Sequence, residues 1–197
     1  MHESKSMKKT KVLVGMAIFT ALVVVLQLMS VVIKIGMFSP SLVLIPIVIG
    51  AAVYGAAAGA WLGLVFGAVV FICCVTGADP GGNAMFLFNP AVTALICLGK
   101  GTAAGWLAAL VFRALQHKNQ MFATALAAIV CPVVNTGVFV ACMLTIFKDV
   151  LSVWAEGGDV IRYVLTGLVL ANFVPELIIN VVFSPAGQRI LQAVKKA

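Results

Sequence analysis

The sequence predicts an all-α integral membrane protein of six transmembrane helices with both termini in the cytoplasm. Three observations carry that prediction. Hydrophobic residues make up 63 % of the 197-residue chain and charged residues only 10 %, with a mean hydropathy of +1.17. Apolar stretches follow one another along the whole length, leaving no room for a separate soluble domain. The basic residues, which give a net charge of +7, sit at the ends of those stretches. No soluble domain of this size needs so much apolar surface, so the solvent is a bilayer. In a soluble protein such a charge would suggest nucleic acid. At span ends it points to topology and anionic lipid, and no nucleic-acid partner is expected. The chain is therefore read as a single six-helix membrane domain over 1–197, with a basic N-terminal segment at 1–11 and a cytoplasmic tail at 184–197.

Met1 to Lys11 is polar and basic and runs into an apolar stretch with no small-residue cleavage site, as expected of a cytoplasmic start before an uncleaved helix. The first span covers about Val12 to Ile33, some 20 apolar residues, enough to cross about 30 Å of hydrocarbon. A breaker-rich hinge at 34–40 follows, and Ser39 or Ser41 can cap the next helix. The second span, about Ser41 to Tyr54, is too short to cross squarely and contains Pro46. A kink or an abrupt turn into the third helix at Tyr54-Gly55 is expected.

The third span reaches about Thr76 and ends in Gly77-Ala78-Asp79-Pro80-Gly81-Gly82-Asn83, the strongest breaker cluster of the chain. The fourth runs from about Pro90, which suits a first helical turn, to Phe112. Arg113, His117 and Lys118 mark the loop before the fifth, about Phe122 to Ile146. A loop from Lys148 to Arg162, with Trp154 at interfacial depth, leads to the sixth, about Tyr163 to Phe183. Pro185 is expected to end it or to begin a short amphipathic tail.

Six crossings put both termini on one side. That side collects Lys5, Lys8, Lys9, Lys11, Arg113, Lys118, Arg189, Lys195 and Lys196, while the other has Lys34, Lys148, Arg162 and nearly all the acids. The excess of Lys and Arg marks the cytoplasmic face.

Several polar groups fall within the apolar runs. Lys100 lies about ten residues into the fourth span, roughly 15 Å deep, Asn135 about eleven from the outer end of the fifth, and Asn172 and Glu176 about nine and thirteen into the sixth. A lone charge at mid-membrane costs at least about 2.5–3.5 kcal/mol, so such groups face the interior and find partners. Two readings stay open. Lys100 and Glu176 can form a structural ion pair. Alternatively Asn89, Asn135, Thr136, Asn172 and Glu176 line a cavity between the last three spans, with Phe86, Phe88 and Phe139 as apolar walls. Asn89 suits a helix cap equally well, and Asp79 suits a turn. The outward segments 34–40 and 77–88 are either lids over such a cavity or plain connections.

The third span carries a ladder of Gly55, Gly59, Gly63 and Gly67, one every four residues, which leaves one helix face almost without side chains. In lipid such faces let backbones approach closely. The partner is either another helix of the same bundle or a separate subunit.

Catalytic chemistry finds little support: there is no Gly-x-Ser-x-Gly elbow, His-Glu-x-x-His pair or phosphate-binding loop, and no metal or cofactor is expected. Cys73, Cys74, Cys97, Cys131 and Cys142 all lie in apolar runs without metal-ligand spacing and read as small apolar fillers. Any active transport must draw its energy from another subunit or from an ion gradient. In the second case the chain would be a self-sufficient secondary transporter with Lys100 and Glu176 as an ion relay.

The layout resembles the substrate-binding S component of an energy-coupling factor (ECF) vitamin transporter. The resemblance rests on six spans in a short chain, on Ala17-x-x-x-Ala21 near the cytoplasmic end of the first, and on Pro46 to Ala60, where a short second helix turns into a small-residue third. It implies a non-enzymatic subunit of a bacterial cell membrane that captures a vitamin and docks on a T subunit driven by two ATPases. The docking flank would comprise Ala17 and Ala21, with Gly55, Gly59 and Gly63 as further candidates. Such a subunit is thought to topple, carrying its ligand inward from a site between the outer halves of the last three helices. Phe86-Leu87-Phe88-Asn89-Pro90 and Asn135-Thr136-Gly137 are most similar to the pantothenate type, in which case Lys100 or Lys34 would meet the vitamin's carboxylate. Riboflavin or another B vitamin is the alternative cargo.

Overall fold

The computed structural model describes residues 5–32 and 41–196, with side chains from 9 to 32 and 41 to 192; Lys34 and the hinge around it lie outside them. The described chain is helical, without a strand. In order come α1 (Lys5–Val32), α2 (Leu44–Tyr54), α3 (Ala56–Thr76), α4 (Pro80–Phe88), α5 (Pro90–Leu115), α6 (Gln120–Thr145) and α7 (Lys148–Trp154). The last rod joins α8 (Val160–Tyr163), a π-helical stretch at Val164–Phe173 and α9 (Val174–Lys196). Five of these pieces are long and apolar enough to cross a bilayer: Lys9–Val32, Ala56–Thr76, Pro90–Leu115, Gln120–Thr145 and Val160–Gln192. With the shorter apolar α2, they make a multi-pass membrane protein.

The 11 residues of α2 cover only about 16 Å at 1.5 Å per residue. It is nevertheless deeply enclosed, with Leu44, Ile47 and Val48 all at 2 % exposure or less. Pro46 lies in its first turn, where no amide hydrogen is needed. The chain then turns at Gly55, whose φ of +94° suits glycine, and α3 begins at once.

The glycine ladder meets α5, within the same chain. A Cβ on Gly59 would fall on the carbonyl oxygen of Gly105, one on Gly63 on that of Gly101, and one on Gly67 on that of Cys97. Gly101 and Gly105 are equally closed by Gly63 and Gly59 in return. Gly59 and Gly63 are therefore buried seam residues and not part of an outer flank, and Gly55 is a turn residue. This corrects the docking role expected for Gly59 and Gly63; Gly55 is half-buried with open space beside it. The periodicity reports close approach, and the nearest available partner was internal.

Two hydrophobic cores flank the seam. One centres on Leu44, Ile47, Leu62, Phe66 and Phe112 and takes in Ala108, Ala127 and Leu191. The other lies at the end of the bundle that carries α4 and α7, where Met85, Met143, Phe147, Leu151, Trp154 and Leu168 gather. Trp154 is a core residue at 7 % exposure, packed inward with Val150 and Leu151 of α7.

Two breaker signals were overridden. Pro80 takes the first helical position, where its missing amide hydrogen costs nothing, so half of the expected loop becomes α4. Pro185 stands inside α9, which runs on to Lys196. Its ring leaves the carbonyl of Val181 without an amide donor, and Ser184 Oγ donates to that oxygen at 2.8 Å.

The seam yields a stability test by thermal unfolding in detergent. Gly63→Ala forces the α3 and α5 backbones apart and should cost about 1–3 kcal/mol. Gly99→Ala adds its methyl to open space on α5 and should leave stability unchanged or raise it by up to about 1 kcal/mol.

Candidate functional site

Beyond Gly67 the ladder ends, the α3 and α5 side chains grow, and a cavity opens between them and the surrounding helices. It holds about 760 Å³ of atom-free space, part of it open to solvent. Its α3 wall is Phe66, Val70, Cys73 and Cys74, its α5 wall Ile96, Cys97 and Lys100, and its α4 wall Gly82 and Met85. Across from these stand Asn135, Thr136 and Phe139 of α6, Asn172 of the π-helical stretch and Glu176 of α9. Gln27 and Val31 of α1, Ser41 and Asp79 complete the lining.

Six of the ten candidate contacts come together here: Lys100, Asn135, Thr136, Phe139, Asn172 and Glu176. Three others do not line the cavity. Asn89 caps α5, its Oδ1 accepting the Val92 amide hydrogen at 3.2 Å. Phe86 packs edge-on against Phe71 at 6.0 Å between ring centres, and the half-exposed Phe88 lies beside Phe147 at 5.6 Å. Lys34 falls outside the described residues. The lining also draws on α1, α3 and α4, so the cavity is central to the bundle and not confined to its last three spans.

Lys100 and Glu176 share the cavity without bonding. The Lys100 ammonium lies over the ring of Phe139, 4.9 Å from its centre, a cation–π contact that partly replaces water. Glu176, 1 % exposed, turns Oε1 to the backbone N–H of Ser41, which donates at 2.8 Å. Its Oε2 has no hydrogen-bond partner in the protein. The ion pair expected between the two is thus replaced by a carboxylate tied to the segment entering α2. Beside it, Leu42 N–H donates to Ser30 Oγ at 3.2 Å, so two side chains anchor that segment.

The remaining polar wall is rich in idle acceptors. Asn135 Oδ1, Thr136 Oγ1 and Gln27 Oε1 lie buried with no hydrogen-bond partner in the protein. Leaving such a group unpaired costs about 1–3 kcal/mol, so the cluster calls for donors, from water in the solvent-open cavity or from a bound molecule. One cation, two carboxyl groups, further oxygen acceptors and a mostly apolar shell give the cavity the mixed lining typical of small-molecule pockets. Among the described residues, no group of acids, histidines and cysteines could hold a metal ion.

Sequence reasoning missed Gln27, although it is the one amide in the first apolar run. Ser41, expected as a possible helix cap, contributes instead its backbone amide to Glu176, and α2 starts after Val43 without a side-chain cap. Cys73, Cys74 and Cys97, read as fillers, are small residues of the cavity wall.

A membrane-embedded helical bundle around a small-molecule cavity is the architecture of a transport or receptor subunit. Residues 11–186 match the family described as ECF transporter, substrate-specific component, and the chain belongs to that family. The pantothenic acid transporter PanT of Lactococcus lactis subsp. cremoris is 30 % identical, over 97 % of this chain and 98 % of its own.

The cap and the cavity can be separated experimentally. Asn89→Ala should lower stability by about 1 kcal/mol, the usual worth of an N-cap. It should leave small-molecule affinity unchanged when thermal unfolding and ligand titration are run side by side.

Proposed function

We propose that the protein captures pantothenate at the outer face of the membrane and delivers it inward while docked on a T subunit driven by two ATPases. The observation that carries the reading is the composition of the cavity wall. Pantothenate has a carboxylate at one end, hydroxyls at the other and an amide between. Lys100 suits the carboxylate. Asn135, Thr136, Asn172 and Glu176 suit the hydroxyl and amide hydrogens, and Phe66, Val70 and Phe139 suit the carbon skeleton. Similarity to a protein described as a pantothenic acid transporter points the same way.

Docking is assigned to α1, whose Ala17 and Ala21 are exposed. Together they leave a shallow track along a flank otherwise studded with Leu13, Ile18 and Val25. The chain has no phosphate-binding loop of its own, so the energy for delivery comes from the ATPases, and toppling of the subunit carries the ligand across.

Titration of the purified protein with pantothenate tests the site. Asn135→Ala and Asn172→Ala should each weaken binding by about 1–3 kcal/mol, roughly fivefold to 150-fold. Unchanged affinity in both variants would move the ligand out of this cavity. Co-purification tests the docking: Ala17→Trp should abolish assembly with the T subunit and ATPases while leaving pantothenate binding intact. Uptake should stop when ATP is depleted, and uptake by the protein alone in liposomes under a proton gradient would overturn the reading in favour of an ion-coupled carrier.

A further inference from the structure

Among the crossing helices α1 is the least embraced. Only 11 % of its apolar window is buried, against 56 % for α3 and 44 % for α5. Its inner side meets the bundle through apolar contacts such as Val23, through Ser30 beside the start of α2, and through Thr20, whose Oγ1 accepts from Trp61 Nε1 at 3.2 Å.

Gln27 is the exception on that side. It is 5 % exposed, lines the cavity, and keeps its Oε1 buried without a hydrogen-bond partner. A leucine here would be of comparable size and free of the desolvation cost that an unpaired amide oxygen carries. The same cavity surface carries three further idle acceptors on α6 and α9: Asn135 Oδ1, Thr136 Oγ1 and Glu176 Oε2. A guest with hydrogen donors along its length can therefore meet α1 at one point and α6 and α9 at others.

We propose that Gln27 is the α1 arm of the binding site: its Oε1 accepts a hydroxyl or amide hydrogen of the bound molecule, and the ligand thereby ties α1 to α6 and α9. This rests on the pantothenate reading given above. It adds that the site selects for a hydrogen donor at the α1 wall, and that α1 is fastened to the bundle through the cargo. Ala17 lies ten residues from Gln27, about 80° around the same helix, so an α1 clamped at Gln27 also holds its exposed flank in one orientation.

The test compares wild type and Gln27→Leu in three measurements: Tm of the empty protein, pantothenate affinity, and amide hydrogen exchange along α1 with and without saturating pantothenate. The leucine variant should keep or raise the empty-state Tm, because an orphaned oxygen has gone. It should bind pantothenate at least tenfold more weakly, and lose the ligand-dependent protection that α1 shows in wild type. A purely structural glutamine would instead lower the empty-state Tm and leave affinity alone. Gln27→Met, similar in length and equally without the oxygen, gives the same readouts should the leucine variant fail to fold. Wild-type binding with affinity within twofold in the variant, or equal α1 protection in both, overturns the Gln27 assignment alone. Absence of pantothenate binding by the wild type overturns the function proposed above and this inference with it.

Discussion

The main-chain contact between α3 and α5 sets the geometry on which the remainder of the molecule depends. Lipid offers little hydrophobic force to bring two apolar helices together, so association rests on how closely backbones can approach. Gly59, Gly63 and Gly67 set the α3 backbone directly against the carbonyl oxygens of Gly105, Gly101 and Cys97. The contact cannot continue indefinitely. Past Gly67 the α3 positions become Val70, Cys73 and Cys74, and the volume that opens there is the cavity. The site is thus placed by the point at which small residues run out.

A second constraint then shapes what the cavity can do. Polar groups in a low-dielectric interior must be paired, and this protein pairs them unevenly. Some hold elements together: Asn83 of α4 donates to the Cys74 carbonyl of α3 at 2.8 Å. Others, facing the cavity, are left with spare acceptor capacity. Among those spare acceptors are Gln27 Oε1 and Asn135 Oδ1 on the cavity wall. Glu176 stands on the border, with one oxygen engaged by Ser41 and the other open.

Much of this was legible in the chain. Membrane embedding, the order of the spans and the inward orientation of Lys100, Asn135, Asn172 and Glu176 follow from the cost of charge and amide groups in hydrocarbon, which any window of the sequence exposes. Less was legible wherever the outcome depends on a neighbour. The four-residue spacing of the ladder announces close approach but not toward whom. Pro185 reads as a stop because the rescuing contact from Ser184 is local geometry. Phe88 and Asn89 look like site residues because they sit beside it in sequence, yet one covers Phe147 and the other caps a helix. Gln27 escaped notice because an amide on a lightly buried helix gains its meaning only when the opposite wall is known.

The seam also has a mechanical meaning. Side-chain interfaces can re-register by hopping between rotamers, but two backbones in direct contact have none to hop between. The α3–α5 pair should respond to load as one stiff spar. Helix α1, gripped along one edge, is by comparison a compliant strut. Force arriving from the bilayer or from a neighbouring protein is then absorbed as a swing of the strut, while the spar holds its side of the pocket to a constant shape.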